Sequence, residues 1–281
     1  MGREPLRSSV YSRERMNRLP ISVCMVSAAE GHRIEKALAS VSNWATEIIV
    51  VLNEEVTDRT EEIAKSHGAK VIREPWKGMI GQKASVAAKA TQEWILDLDA
   101  DEVISDELRG EIHRALSKSL NGPIAAFSYP RLSWYCGRWI RHGDWYPDRQ
   151  NRLWRRGRAK WGGVDPHAKL FVDGEVKKLR GNLLHYSNDS INRQIEKIIP
   201  FSEEFMRQHL ARNAGSGPFD LAVRPLWRFL RAYFFRGGFL DGWPGYYIAW
   251  LNAFSTVTRY AKVRENTLNQ DSDEKEHSVR A

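Results

Sequence analysis

The chain is poor in cysteine. Its 281 residues include only Cys24 and Cys136, too few for a disulfide framework. Neither lies in a CxxC pair or a Cys/His cluster, which excludes a zinc-ribbon type of centre. A reducing compartment fits this usage, and Cys24, inside an apolar run, reads as a buried thiol. Long hydrophobic runs are also lacking. The longest stretch without a charge, residues 242–258, contains Pro244 and Gly245 and carries Asn252, Ser255 and Thr256. A spanning helix needs about 20 mostly apolar residues, so no transmembrane segment is expected. No Gly-rich phosphate loop of the Walker type occurs. The first 18 residues hold five arginines and no apolar core of the kind a signal peptide requires. Collagen-like and disordered chains are excluded by 42% hydrophobic residues alongside only 20 glycines and 11 prolines.

What is abundant is positive charge and aromatic surface. The formal net charge is +8, and there are 11 tryptophans and 9 tyrosines. Such a balance suits an anionic partner: nucleic acid, phospholipid or a phosphorylated substrate. The charge is concentrated in residues 131–160, with nine Arg or Lys against Asp144 and Asp148. The first half alternates instead. Apolar runs at 21–26, 47–52, 70–72 and 93–97 read as strands, and 125–129 as a further one. Helical patterns at 34–41, 57–68 and 82–90 separate the first four. This spacing implies βαβ units and an α/β fold with a mostly parallel, Rossmann-like sheet flanked by helices. Residues 192–212 read as a helix and 214–218 as a linker. The expected organisation is a basic arm at 1–18, a catalytic domain at 19–213, an aromatic and basic helical region at 214–265, and a disordered tail at 266–281.

The sharpest chemical signal is Trp94-Ile-Leu-Asp-Leu-Asp-Ala-Asp-Glu102. An apolar strand runs straight into Asp97, Asp99 and Asp101. Ligands of open α/β sheets bind at the carboxyl ends of the strands, and carboxylates two apart at a strand end share a face. Asp99 and Asp101 thus suit a hard divalent cation, Mg²⁺ or Mn²⁺, together with substrate phosphates. The bland alternative is an acidic loop capping the next helix. A haloacid-dehalogenase-type phosphatase would also place Asp97 and Asp99 after an apolar strand, but that strand usually opens its domain and the expected Thr or Val is replaced by Ala100. A nucleic-acid binder would explain the charge but not an acidic strand end, so no nucleic-acid partner is expected.

The ordered motifs resemble glycosyltransferase family 2, of the inverting GT-A fold. Pro20-Ile-Ser-Val-Cys-Met-Val26 is similar to its opening strand. Ile49-Val-Val-Leu-Asn53 with Thr57-Asp-Arg-Thr60 resembles its second strand and turn. Gly68-Ala-Lys-Val71, Gly81-Gln-Lys83 and Leu98-Asp-Ala-Asp-Glu102 follow in order. Gly137-Arg-Trp-Ile-Arg-His-Gly143, Trp145-Tyr-Pro-Asp148, Arg152-Leu-Trp-Arg-Arg156, His185-Tyr186 and the 238–245 segment resemble the lipopolysaccharide core β-glucosyltransferase branch.

The resemblance implies a nucleotide-sugar donor, UDP-hexose foremost and glucose expected, and a lipopolysaccharide-core or other cell-envelope glycan as acceptor. Asp99 and Asp101 would serve ribose and metal, Lys83 the nucleotide or its phosphates, and Ser27, Glu30 and Asn53 the base pocket. Two departures stand at that pocket: Ala29 where the family usually has Asn, and Asn53 where it has Asp. The branch commonly carries Val-His-Glu where this chain has His167-Ala168. Inverting transfer needs a carboxylate to deprotonate the acceptor, so Asp165 is the expected base, with Asp148 and Asp144 as alternatives. Arg152, Arg155 and His167 are expected to bind a phosphorylated, lipid-linked acceptor, because arginine's planar fork matches phosphate. The aromatics and arginines at 219–262 suit a membrane–water interface. They imply a peripheral protein on the inner face of the cytoplasmic membrane, in contact with anionic lipid. A catalytically impaired membrane-surface or anion-binding protein on the same fold is the alternative.

Overall fold

The computed structural model describes residues 18–119, 122–165, 167–187, 190–212 and 214–280, with the side chains of 119, 167 and 270–280 outside that description. The arm expected at 1–18 therefore lies outside it apart from Arg18, which donates to the Ala45 carbonyl at 2.8 Å. The chain forms two compact units, Met1–Arg131 with Asp148–Tyr186 and Leu132–Pro147 with Ser187–Ala281.

The first unit begins with the alternation expected: β1 (Leu19–Ser27), α1 (Ile34–Ala39), β2 (Ala45–Asn53), α2 (Thr60–Ser66), β3 (Lys70–Glu74), α3 (Gly78–Ala88) and β4 (Trp94–Asp97). β1 pairs in parallel with β2 and β4, and β2 with β3. The strand order β3-β2-β1-β4 reverses direction at β1. A crevice forms at such a switch point, outside the carboxyl ends of β1 and β4. The strands lack polar alternation because both faces are covered. Ile21, Val23, Met25, Ile48, Val50, Trp94 and Leu96 share one core with Leu108 and Ile112 of α4 (Asp106–Ser119). Cys24, Ile49, Val51 and Ile95 face the other way, against Val86 of α3. Fully burying each such side chain is worth about 1.5–3 kcal/mol, so the two cores fix the strand ends that carry the site.

Beyond β4 the sheet turns antiparallel. β8 (Asp148–Arg155) pairs with β4 and with β6 (Ile124–Tyr135). β12 (Leu183–His185) pairs with β5 (Glu102–Ile104). β11 (Glu175–Lys178) runs parallel to β6. β9 (Ala159–Val164) and β10 (His167–Val172) form a separate hairpin. The expectation of a mostly parallel sheet thus holds for β3-β2-β1-β4, and the remainder is mixed. The basic 131–160 segment supplies β8 because Leu153 and Trp154 are buried between Arg152 and Arg155. The interleaved arginines hide that apolar signal in the sequence.

In the second unit β7 (Arg138–Ile140) pairs with the end of β6. Three helices follow: α5 (Ile191–Leu210), α6 (Pro218–Leu230) and α7 (Gly242–Arg280). Tyr135, Ile140 and Ile248 form its small buried cluster. The buried Asp241 accepts from the Arg141 and His142 backbone N–H groups, at 3.0 and 2.8 Å. At Gly245 a Cβ would stand 1.9 Å from the Gly238 carbonyl, and at Gly238 one would stand 2.7 Å from the Ala232 carbonyl, which explains these two of the three glycines of the 238–245 motif. Two boundaries need correction. Residues 132–147 group with the helices rather than with the catalytic unit. α7 continues to Arg280 where a disordered tail was expected after 265, because residues 266–280 contain no glycine or proline to stop a helix.

Candidate active site

A cleft of about 750 Å³ opens at the switch point of the first unit. Val26 and Glu30 border it from the end of β1, Asp99 and Asp101 from the end of β4, and Lys83 from α3. Arg149 and Arg152 enter from β8, Trp161 and Lys169 from the hairpin, and His185 from β12. The loop after β1 is pinned by the Thr57–Thr60 turn. Asp58 Oδ2 accepts from Gly31 N at 3.0 Å, and Thr60 Oγ1 accepts from Glu30 N at 2.9 Å. The turn therefore shapes the cleft rather than merely starting α2.

The acidic strand end is threaded by two buried cations. Lys83 Nζ lies 2.7 Å from Asp97 Oδ2 and 2.7 Å from Asp99 Oδ1. Arg152 pairs with Asp97, with Asp99 Oδ2 at 2.7 Å and with Glu102 Oε1 at 3.4 Å. Burial pushes the Asp99 carboxyl up, but the charges of Arg152 and Lys83 outweigh it and hold the group well below the usual range. For Glu102 burial wins, raising its carboxyl. For Arg152 burial opposes the charge, yet Asp99, Glu102 and Asp97 together keep it firmly protonated. Lys83 Nζ also stands 5.0 Å from the Trp161 ring centroid.

Asp101 is differently placed. Its Oδ2 lies 3.4 Å from His185 Nε2 and 3.8 Å from Arg33 Nη1. Burial raises its carboxyl, while the hydrogen bond and charge of His185 lower it further, leaving it below its ordinary value. Among the described residues no three acidic, His or Cys side chains converge as a metal site. Asp101 with His185 is a carboxylate–imidazole pair bordering the cleft, a donor set suited to Mn²⁺ or Mg²⁺ when phosphate oxygens supply the rest. Each oxygen of Asp99, the other residue expected at the metal, meets a cation, Lys83 or Arg152. His185 is a cleft residue the motif reading left without a role; its position beside Asp101 comes from the β5–β12 pairing, which no local pattern announces.

The remaining expected residues divide clearly. Glu30 borders the cleft and pairs with Arg33, whose Nη2 donates to Oε1 at 2.8 Å. Ser27 is buried with its hydroxyl donated to the Ala28 carbonyl at 3.2 Å. Asn53 accepts from Glu55 N at 3.4 Å; neither it nor Ser27 lines the cleft. Arg152 is no surface acceptor ligand, being 7% exposed within the carboxylate network. Arg155 stands at the opposite end of β4, paired in register with Trp94 and 3.5 Å from Glu93. It does not border the cleft. The side chain of His167 lies outside the described residues.

The expected bases are also displaced. Asp165 sits exposed at the hairpin tip, where Oδ1 accepts from Ile80 N at 2.9 Å and so caps α3. Asp148 is clamped by Arg131, with Nη2 2.8 Å from Oδ2, and by Gln150. Asp144 belongs to the second unit and pairs with Arg228 and Arg231. Asp165 and Asp148 do not border the cleft, whereas Ala168 does.

A switch-point cleft bordered by an acidic strand end and by basic side chains is the arrangement that the resemblance to GT-A glycosyltransferases implies. The family model described as glycosyl transferase family 2 matches residues 22–173, and the chain belongs to this family. An uncharacterized glycosyltransferase of Rickettsia prowazekii is 31% identical over 90% of this chain and 89% of its own length. The lipopolysaccharide core biosynthesis glycosyltransferase LpsC of Rhizobium meliloti is 27% identical over 89% of this chain and 96% of its own. The crystal structure of S. aureus TarS 1–349 in complex with UDP overlays with a TM-score of 0.47 at 13% identity, covering 90% of this chain and 92% of that one. That likeness is too distant to carry an argument.

Proposed function

We propose that this glycosyltransferase moves a hexose, glucose foremost, from a UDP-linked donor to a phosphorylated, lipid-linked glycan such as a lipopolysaccharide core, with inversion. The observation carrying this reading is the cleft itself. Asp99, Asp101, Lys83, Arg131, Arg149 and Lys169 all line it, a mixture of charges suited to a metal-bound nucleoside diphosphate and an anionic acceptor. LpsC, named for lipopolysaccharide core biosynthesis, supports the acceptor class.

Asp101 and His185 would hold the divalent cation. When bound, it supplies charge neutralisation for the departing nucleoside diphosphate. Lys83 and Arg152 hold Asp99 ionised and oriented, with lone pairs left over for ribose hydroxyls. Trp161 stands against Lys83 at that end of the network. Peripheral binding to an anionic membrane surface on the cytoplasmic side completes the reading. It is supported by the exposed Trp227, Phe234, Phe235 and Trp243 of the second unit. No helix among the described residues is long and apolar enough to cross a membrane.

Thermal unfolding against UDP-, GDP-, dTDP- and CMP-sugars, with Mn²⁺ and with chelator, tests the donor site. A ligand at 100 times its dissociation constant stabilises by about 2.7 kcal/mol. The expected result is a Mn²⁺-dependent shift with UDP-sugars, lost in Asp101→Asn and weakened in His185→Gln. A shift with no nucleotide, or one indifferent to Asp101→Asn, would remove the donor assignment.

A further inference from the structure

The second unit contains a cavity of about 320 Å³, separate from the cleft, lined by Arg224, Arg228, Arg231 and Arg259 together with Trp227 and Tyr260. The first three arginines have acidic partners. Arg224 Nε lies 2.5 Å from Asp220, Arg228 Nε 2.8 Å from Asp144, and Arg231 Nη2 2.7 Å from Asp144. Asp144 is shared further with Arg236 at 3.2 Å. Arg259 has no acidic partner among the described residues; its guanidinium lies 5.7 Å from the Phe205 ring centroid, and its buried Nε has no hydrogen-bond partner. A buried polar group left unmatched costs stability. Burial, and then the like charge of Arg228, lower the proton affinity of Arg259. Such a half-buried cation lining a cavity suits an anion there.

The surface around the cavity indicates where the anion comes from. The cavity residues 224, 227 and 228 fall on one face of α6 at helical spacing, with Arg231 just beyond its end, and Phe219, Val223 and Leu226 lie exposed on the adjoining face of α6. α6 buries no residue at all. On α7, Trp243, Tyr246, Trp250 and Phe254 continue the exposed apolar surface, and Phe229 joins the two helices at 4.6 Å from Trp250. Aromatics and aliphatics exposed beside a cluster of guanidiniums match the boundary between acyl chains and headgroups.

We propose that this arginine cavity is a specific site for the phosphate of an anionic lipid headgroup, with Arg259 as its central ligand and the α6–α7 apolar face entering the lipid around it. Arginine's planar fork donates two hydrogen bonds to one phosphate. A carboxylate-bearing lipid offers equal charge density but fewer acceptor oxygens. The site therefore prefers phosphate over matched charge. This inference rests on the membrane-binding reading above and adds a headgroup preference to it.

Co-sedimentation of the full chain with three vesicle types tests it: phosphatidylcholine alone, phosphatidylcholine with phosphatidic acid, and phosphatidylcholine with a fatty acid at matched surface charge. The wild type is expected to partition several-fold more strongly onto phosphatidic acid than onto the carboxylate vesicles. Arg259→Gln should fall to the same level on both, and so should Arg259→Lys, which keeps the charge but not the fork. Lys262→Gln, a charge loss outside the cavity, should weaken both equally, by about five-fold. Arg259→Gln should unfold at or above the wild-type temperature, which separates a lost site from a lost fold. Equal partitioning of the wild type on the two anionic vesicles would overturn the phosphate site while leaving membrane binding intact. Absence of binding to every vesicle at low salt would overturn both.

Discussion

Arg152 meets Asp97, Asp99 and Glu102 at once, and the stability of the acidic strand end depends on it. Removing one partner from a buried ion network leaves uncompensated charge and costs about 3–5 kcal/mol. Arg152→Gln should therefore lower the unfolding free energy by about that amount in urea titrations; a loss under 1 kcal/mol would show that the network is solvated. Asp165 makes the contrasting case. Its geometry is that of a cap for α3, so Asp165→Asn should retain wild-type turnover. Asp165→Ala should lose about 1 kcal/mol of stability without a selective loss of kcat. That Asp99 and Asp101 border a cleft was legible because an acidic motif ends an apolar strand of an α/β sheet. The partnership of Arg152 with Asp99 was not, because 53 residues separate them and the arginine is one of many in a basic segment. His185 was hidden for the same reason, its place beside Asp101 being set by strand pairing.

At the scale of elements, the hairpin of β9 and β10 docks on α3 through a glycine. Gly78 has φ +78°, and a Cβ there would stand 2.2 Å from Asp165 Oδ2. Gly68 has the same φ with nothing within 4 Å. Gly68→Ala should cost only the left-handed penalty of about 1–2 kcal/mol, and Gly78→Ala more, since it also displaces the cap. Equal losses in thermal denaturation would mean the cap contributes nothing. β3 and α3 are tied through Glu74. Lys77, then Lys89 and Ser85, hydrogen-bond its carboxylate and hold it at about 2, below its ordinary 4.5. The unfolded chain therefore takes up this proton first as pH falls. The stabilisation is full above pH 4.5 and is lost between there and about pH 2. The stability gap between wild type and Glu74→Gln should close over that window, and a gap constant with pH would contradict the ion-pair origin. β1 to β4 were legible because strands covered on both faces leave uninterrupted apolar runs. The hairpin, β8 and α4 were not, because charge interrupts their apolar pattern.

At the scale of the molecule, one unit carries a cleft built on a switch-point sheet, and the other presents arginines and exposed aromatics, with α6 burying no residue. The division was only half legible. Composition separated the aromatic C-terminal region from the βαβ half. The assignment of residues 132–147 to the helical unit depends on packing around Tyr135, Ile140 and Asp241 that composition does not report. The central claim, that the cleft transfers a hexose from a uridine nucleotide, is tested most directly by measuring nucleoside diphosphate release. The purified chain would be incubated with each donor sugar, Mn²⁺ and an extract of cell-envelope glycolipids. Release of UDP from UDP-hexose, matched by sugar incorporated into lipid and abolished by chelator and by Asp101→Asn, is the predicted result. Sugar incorporation from GDP-, dTDP- or CMP-donors alone, or none from any donor, would contradict the account.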